Sequence, residues 1–320
     1  MYYLNNYEIS NKFDNEEWDS FVRKSSRNGT LFHTRKFLGY HKDKFNDCSL
    51  TIRKSNKLIA VLPVALADGA LFSHPGSSFG GVVLSKSIGL YDVLNIFDCI
   101  SYFLRREKIS KISIRATPSI YNKYPCEEVK FVMINKGYIL KYMDLCCTID
   151  LTKNKLYKES TYRNINKAKN NNVIIKKNDT NFKDYWNILS DNLKTKYGVS
   201  PTHTLNEILL LKSLFDDEIL LYSCYFNKKM IGGIVVFIGN SNAFETFYIA
   251  QDYTYQYTRG LSLLIDTVVE DGVKSKFKFC NLGVSTEDSG NIINGSLVKF
   301  KETFGARGIV RETYSKEILI

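Results

Sequence analysis

The chain has 320 residues, 44% hydrophobic and 24% charged, a balance that suits two ordinary globular cores rather than a disordered tract. It carries 44 Lys and Arg against 33 Asp and Glu, a net charge of +11. That charge favours an anionic partner such as a nucleotide, CoA, tRNA or a membrane surface, although richness in Lys, Asn, Ile and Tyr is also what an AT-rich genome encodes. No run approaches the roughly 18 unbroken apolar residues that span a bilayer. The opening Met1-Tyr2-Tyr3-Leu4-Asn5 has neither the basic nor the apolar region of a secretory signal, so a cytoplasmic location is expected.

The elements then follow in chain order. Residues 18–27 read as a helix, 48–53 as a strand, 55–57 as a turn and 58–66 as a β-prone return strand. Residues 80–84 continue the sheet. Helical spacing of Val93, Leu94, Phe97, Ile100, Phe103 and Leu104 predicts a helix over 90–106. A strand at 109–115, a helix at 127–136 and a long strand at 138–150 close the first half. The second half repeats the order: helices over 156–170 and 182–196, strands at 219–225, 230–238 and 243–250, a helix at 260–272, a strand at 277–282, a helix at 295–304 and a strand at 308–314. The second hairpin strands are alike, Lys57-Leu58-Ile59-Ala60-Val61-Leu62 against Lys229-Met230-Ile231-Gly232-Gly233-Ile234. The expectation is an α/β chain with mixed sheets, duplicated in architecture, with domains at 1–150 and 151–320.

Seven cysteines are scattered without a CxxC pair, and there are four histidines. Neither a metal site nor a disulfide framework is expected, and the cysteines read as small buried hydrophobes. The lysines are dispersed without a block of like charges, so DNA is not an expected partner; a monomer is expected.

The second half carries a series of recognisable segments. Tyr162-Arg163-Asn164-Ile165-Asn166-Lys167 precedes Lys196-Tyr197-Gly198-Val199-Ser200-Pro201-Thr202-His203, then Gly232-Gly233-Ile234 and Tyr248-Ile249-Ala250. Asn281-Leu282-Gly283-Val284-Ser285-Thr286 leads into Asn294-Gly295 and Lys301-Glu302-Thr303-Phe304-Gly305-Ala306. With Ser73-His74-Pro75-Gly76 and Gly80-Gly81 in the first half, this series resembles the Fem-type peptidyltransferases and wider Fem-like GNAT acyltransferases. The resemblance implies two tandem GNAT domains and transfer of an acyl or aminoacyl group to an amine. Fem enzymes take amino acids from aminoacyl-tRNA and add them to peptidoglycan precursors. Looser relatives are acyl-CoA-type enzymes linked to capsule, exopolysaccharide or lipid assembly. The interval 163–181 is too short for the long helical hairpin of several Fem enzymes, which weakens the tRNA reading. The expected function is N-acyl transfer to an amine of a cell-envelope or surface-polysaccharide precursor. The alternatives are an aminoacyl-tRNA-dependent peptidoglycan bridge enzyme, and a non-catalytic module that binds an envelope intermediate. A peripheral membrane contact is compatible with each.

N-acyl transfer requires deprotonation of the amine, stabilisation of the oxyanion and protonation of the leaving group. Lys301 matches the lysine of the family's terminal motif and is the candidate for the oxyanion; the plain reading is a surface helix lysine. His203 and Glu245 are candidate bases. Glu245 and Tyr248 have odd spacing, so they are expected on opposite faces of their strand. In GNAT domains a Gly-rich loop at a helix start binds CoA pyrophosphate. Here that loop is degenerate, and Arg259, Gly260 and Leu261 stand at its place. The first half lacks such a loop before its 90–106 helix, so donor binding is expected in the second half, and the Fem-like resemblance implies the acceptor side for the first. Arg163 and Lys167, four apart on one helix face, could hold an acceptor phosphate or form a solvated basic face. Ser285 and Thr286 at a strand end, Tyr248 as a stacking ring, and Asn294 as a ligand or an N-cap complete the candidate substrate contacts.

Overall fold

The structure, a computed structural model, describes Met1–Leu319, without the Tyr197 side chain. The chain packs as two units, Met1–Asp144 with Val310–Ile320, and Leu145–Ile309. The sequence reading grouped 151–320 together, whereas the last strand returns to pack with the first unit. Among the described residues no helix is long and apolar enough to cross a membrane. All seven cysteines are free thiols, and all but the half-buried Cys48 are buried.

In the first unit, β1 (Tyr2–Leu4), β2 (Tyr7–Ser10), β3 (Leu50–Lys54), β4 (Lys57–Leu62) and β7 (Val83–Leu84) form one antiparallel sheet in that order. Between β2 and β3 lie the short helices α1 (Asn15–Ser20) and α2 (Arg35–Leu38). The helix expected at 18–27 is α1 continued by a π-turn over Phe21–Ser25. The strand expected to run over 58–66 is cut at Pro63, whose missing N–H and fixed φ end the ladder. Beyond it, β5 (Val64–Ala67) pairs with β6 (Ala70–Ser73), which runs parallel to β8 (Lys111–Arg115). The α3 helix (Leu90–Arg106) forms as its spacing dictates, burying Val93, Ile96, Phe97, Ile100, Phe103 and Leu104 in the unit's core. Each such side chain stabilises the fold by about 1.5–3 kcal/mol. The α4 helix (Glu128–Asn135) and the start of β9 (Ile139–Asp150) follow; the end of β17 (Arg307–Glu317) pairs with β8.

In the second unit, α5 (Glu159–Asn170) packs its Ile165 and Ala168 into the core. The sheet order is β10 (Ile174–Lys176), β11 (Ile219–Phe226), β12 (Lys229–Ile238), β13 (Ala243–Gln251), β14 (Phe279–Val284) and the second half of β9. On one face lie α6 (Phe182–Tyr197), whose Tyr185 ring closes on Gly233, and α7 (Leu205–Leu214). On the other, α8 (Gly260–Lys274) brings Gly272 against Phe244. A Cβ at Gly272 would fall 2.6 Å from that ring, so only glycine permits this approach. A short hairpin, β15 (Thr286–Glu287) with β16 (Ile292–Ile293), leads into α9 (Gly295–Glu302).

Candidate active site

The site is built where β13 and β14 part. The two strands run parallel and paired only at Ala243↔Phe279, Phe244↔Cys280 and Glu245↔Asn281. Beyond that point β13 stays with β12 to Gln251, and β14 turns to β9 through an irregularity after Asn281. Gly283 takes φ +79° there, and its N–H donates to Asn281 Oδ1 at 2.9 Å. Parallel strands that diverge leave the opening into which a ligand can insert.

A bulge decides which side chains face that opening. Val236 pairs with Thr246, and the next residue of β12, Val235, pairs with Tyr248, so Phe247 has no partner in the ladder. The extra residue restores parity: Glu245, opposite Phe237, and Tyr248, opposite Val235, lie on the same face. The expectation from spacing that they oppose each other is therefore corrected; the period-two rule holds only for an unbroken ladder. Both are buried.

His203 and Tyr248 meet. Tyr248 Oη lies 2.8 Å from His203 Nδ1 and accepts from the His203 backbone N–H at 3.2 Å. Burial raises the Tyr248 pKa to about 12, so the phenol is protonated at neutral pH. Trp186 from α6 packs edge-on against the Tyr248 ring at 5.3 Å.

Lys301 is the most buried cation of the site. Its plain reading as a surface helix lysine fails, since it is 3% exposed while Lys299 faces solvent. Its Nζ donates to Gly283 O at 2.8 Å, Val284 O at 2.8 Å and Ser285 Oγ at 2.9 Å. An ammonium has three donors, so all three are engaged. In this arrangement Lys301 pins the end of β14, and donating to an oxyanion would require releasing one of these bonds. Desolvation lowers its pKa to about 8, opposed by nearby groups that include Glu245.

Ser285 is buried between Lys301 and Cys147 Sγ, 3.3 Å from the latter. Thr286 Oγ1 accepts from Leu145 N–H at 3.2 Å. Asn294 takes the second of its two readings: its side chain caps α9 by accepting from Leu297 N–H at 3.1 Å, and it donates to Glu287.

The remaining candidates stand apart from this cluster. Arg259, exposed, takes φ +61° between a 3-10 turn and α8. Gly260 is buried, and a Cβ there would meet Ile231 Cδ1 at 3.0 Å, so its glycine answers to packing. Its N–H donates to Thr258 Oγ1 at 3.3 Å, and the Ser262 N–H to Arg259 O at 3.0 Å, so these two amides are engaged locally. Leu261 is partly buried against the core. Arg163 and Lys167 are both exposed on α5; Arg163 pairs with Glu159 at 3.0 Å.

Asn281 and Cys147 were not singled out as site residues. Asn281 and Gly283 sit in the Asn-Leu-Gly segment, where a glycine two residues past a polar strand residue could have flagged the irregularity. Among the described residues no group of three His, Cys, Asp or Glu is placed to hold a metal ion.

No family model matches the sequence, and no curated protein matches it. Solved structures do. FemX superposes with a TM-score of 0.71 at 11% identity, over 96% of each chain. A conserved protein of unknown function from Bacteroides thetaiotaomicron gives 0.65 at 9% identity, over 97% of this chain and 99% of that one. L-PGS from Bacillus licheniformis gives 0.61 at 9%, over 94% and 91%. The mixed α/β fold in two units is thus shared with FemX, with L-PGS and with the Bacteroides protein over nearly the whole chain. The likeness to Fem-type proteins that the sequence motifs had implied thus extends to the fold, over 96% of the chain.

Proposed function

We propose that this chain is an N-acyltransferase whose reaction takes place in the second unit, at the parting of β13 and β14. The observation that carries the reading is the β13 bulge, which turns Glu245 and Tyr248 onto one face beside buried Lys301. The amine nitrogen attacks the donor carbonyl, forming an N–C bond while the C–S bond of a thioester, or the C–O bond of an aminoacyl ester, breaks. One amine proton passes to the Glu245 carboxylate. Tyr248 Oη gives its proton to the leaving thiolate or alkoxide, and the count closes when Glu245 returns its proton to Tyr248 through solvent. His203 holds the phenol in place. Lys301 shapes the strand end and supplies positive potential at the site floor.

The donor is read as acyl-CoA or an aminoacyl-tRNA, and the acceptor as an amine of a cell-envelope or surface-polysaccharide precursor, with the acceptor side falling to the first unit. The fold shared with FemX and with L-PGS supports acyl or aminoacyl transfer as the reaction class. The locally engaged amides at Gly260 and Ser262 leave the Arg259 loop a weaker pyrophosphate cradle than a GNAT loop with two glycines.

The test is mass spectrometry of purified protein with acyl-CoAs, charged tRNAs and lipid- or nucleotide-linked amino sugars. A transferred acyl group is expected, and both Glu245→Gln and Tyr248→Phe should lower kcat by about 100-fold or more. Unchanged turnover in both variants would remove the proposed acid–base pair. Tight binding of an amine precursor with no transfer from any donor would make the chain a binding module.

A further inference from the structure

The first unit holds a cavity that the proposed reaction does not use. It measures about 240 Å³ and lies between the chain before β7 and the end of β8, with α4 and Glu312 of β17 on its other side. Its floor is apolar: Val82, Ile114 and Met133 line it and are at most 1% exposed. A cavity of about 150 Å³ holds a benzene ring, so this one has room for about ten non-hydrogen atoms.

One hydroxyl in the lining has its polarity fixed by a buried histidine. His33 Nδ1 accepts from the Thr30 backbone N–H at 3.1 Å, with Thr30 Oγ1 2.8 Å away. A ring nitrogen that accepts an N–H carries no proton, so neutral His33 bears its proton on Nε2. Burial keeps the ring neutral, with its pKa lowered to about 3. Nε2 lies 3.2 Å from Thr117 Oγ1 and cannot take the hydroxyl proton. Thr117 lines the cavity, and no other group among the described residues accepts that proton. The cavity therefore offers a donor at Thr117 to an acceptor oxygen on its ligand.

The charged side chains of the lining are Glu127, Glu312 and Lys130, two acids against one base. Lys130 is taken by Glu312 at 2.6 Å, which leaves Glu127 in no ion pair among the described residues. The nearby cations outside the lining have partners of their own. Arg27 closes on Glu128 at 3.1 Å, and Lys123 Nζ donates to Arg23 O at 3.1 Å. Arg115, on the opposite face of β8 from Ile114, donates to Tyr142 Oη at 3.1 Å. The unmatched charge in the lining is thus negative; it repels a phosphate or a carboxylate and attracts an ammonium.

We infer that this cavity is a second ligand site, for a small aliphatic ammonium compound that carries a neutral acceptor oxygen, such as an amino alcohol. The ammonium pairs with Glu127, the oxygen accepts from Thr117, and the aliphatic body lies on Val82, Ile114 and Met133. The inference does not rest on the transfer chemistry proposed above, since no residue of the second unit takes part and the readout is binding.

The test is isothermal titration of the full chain with leucinol, isoamylamine and isocaproate. Leucinol has all three features, isoamylamine lacks the oxygen, and isocaproate replaces the ammonium with a carboxylate. Saturable binding of leucinol is expected, about fivefold tighter than isoamylamine, with isocaproate weakest. Thr117→Val should weaken leucinol about fivefold and leave isoamylamine unchanged. Glu127→Gln, at an exposed position, should weaken both amines about threefold, and less so in high salt. Val310→Trp, which fills the cavity from an exposed position in its lining, should abolish binding with thermal unfolding unchanged. No saturable binding of leucinol up to about 10 mM overturns the proposal, as does isocaproate binding as tightly as isoamylamine. Leucinol binding that survives Val310→Trp places the ligand elsewhere and equally overturns it.

Discussion

The two units follow one plan but treat the same pair of strands differently. In the second unit β13 and β14 remain paired for three residues before they part, and the parting strands carry Glu245 and Asn281. In the first unit the corresponding strands, β7 and β8, belong to different sheets. Gly81 and Val82 before β7, and Ile114 and Thr117 around the end of β8, line a cavity of about 240 Å³ between them. The buried ionisable groups differ as well. The second unit buries Lys301 and Glu245 near each other. The first buries histidines and keeps them neutral: desolvation lowers His33 to about 3 and His74 to about 4. The first unit's buried Arg27 and Asp144 are taken up in ion pairs with Glu128 and Arg311, whereas the second sets its buried lysine and glutamate where its strands part, and perturbed buried groups concentrate at functional sites.

The sharpest way to break the comparison is in the first unit. The buried His41 ring stacks on His74 at 5.1 Å and sits on Gly76, where a Cβ would fall 1.4 Å from His41 Nε2. Tyr40 and Phe45 crowd the same ring, so it cannot step aside. Gly76→Ala should cost about 3 kcal/mol or more, measured by urea unfolding, with hydrogen exchange rising first in the first unit. Next comes Lys301→Met, which strips the donors from Gly283 O, Val284 O and Ser285 Oγ. A cost of about 2 kcal/mol is expected in the same measurement, localised by exchange to the end of β14.

The pH response should divide the units. For His33 and His74 the folded pKa lies below the ordinary 6.5, so the unfolded chain binds more protons between that value and about 4 or 3. Their contribution to stability is complete above pH 6.5 and is lost on acidification through that window. For Lys301 the folded value of about 8 lies below the ordinary 10.5, so stability rises as pH climbs from 8 to 10.5. At one unit to about 1.4 kcal/mol, the Lys301 span is at most about 3.5 kcal/mol. Exchange across pH should therefore show the first unit loosening in acid. Lys301→Met should remove the alkaline rise from the second. The smallest effect is expected at Arg163→Ala, whose pair with Glu159 is solvated on both sides. A change under about 0.5 kcal/mol is expected; a larger one would show that α5 depends on that pair.

Legibility varied by element. The α3 helix was plain because its apolar spacing is its reason for existing. The α7 helix was overlooked, although Thr204 and Glu207 form a capping box ahead of an apolar run. The strands β1, β2, β6 and β10 were also missed; each is four residues or fewer, too short for alternation to register. The motif around Lys301 pointed to the right place, but not to the tripod of acceptors that occupies its ammonium.

By itself the sequence determined the duplicated order of helices and strands, the long amphipathic α3, and the resemblance that named the fold. These depend on local periodicity and on residue order, which a linear chain displays. Only the tertiary structure decided that Glu245 and Tyr248 share a face, because the bulge at Phe247 is a matter of registry against β12. Only it decided that Lys301 is buried, because its three acceptors lie 16 to 18 residues away in the chain. The return of the last strand to the first unit was likewise a matter of pairing with β8. Registry and long-range pairing are properties of two segments at once, and no single segment records them.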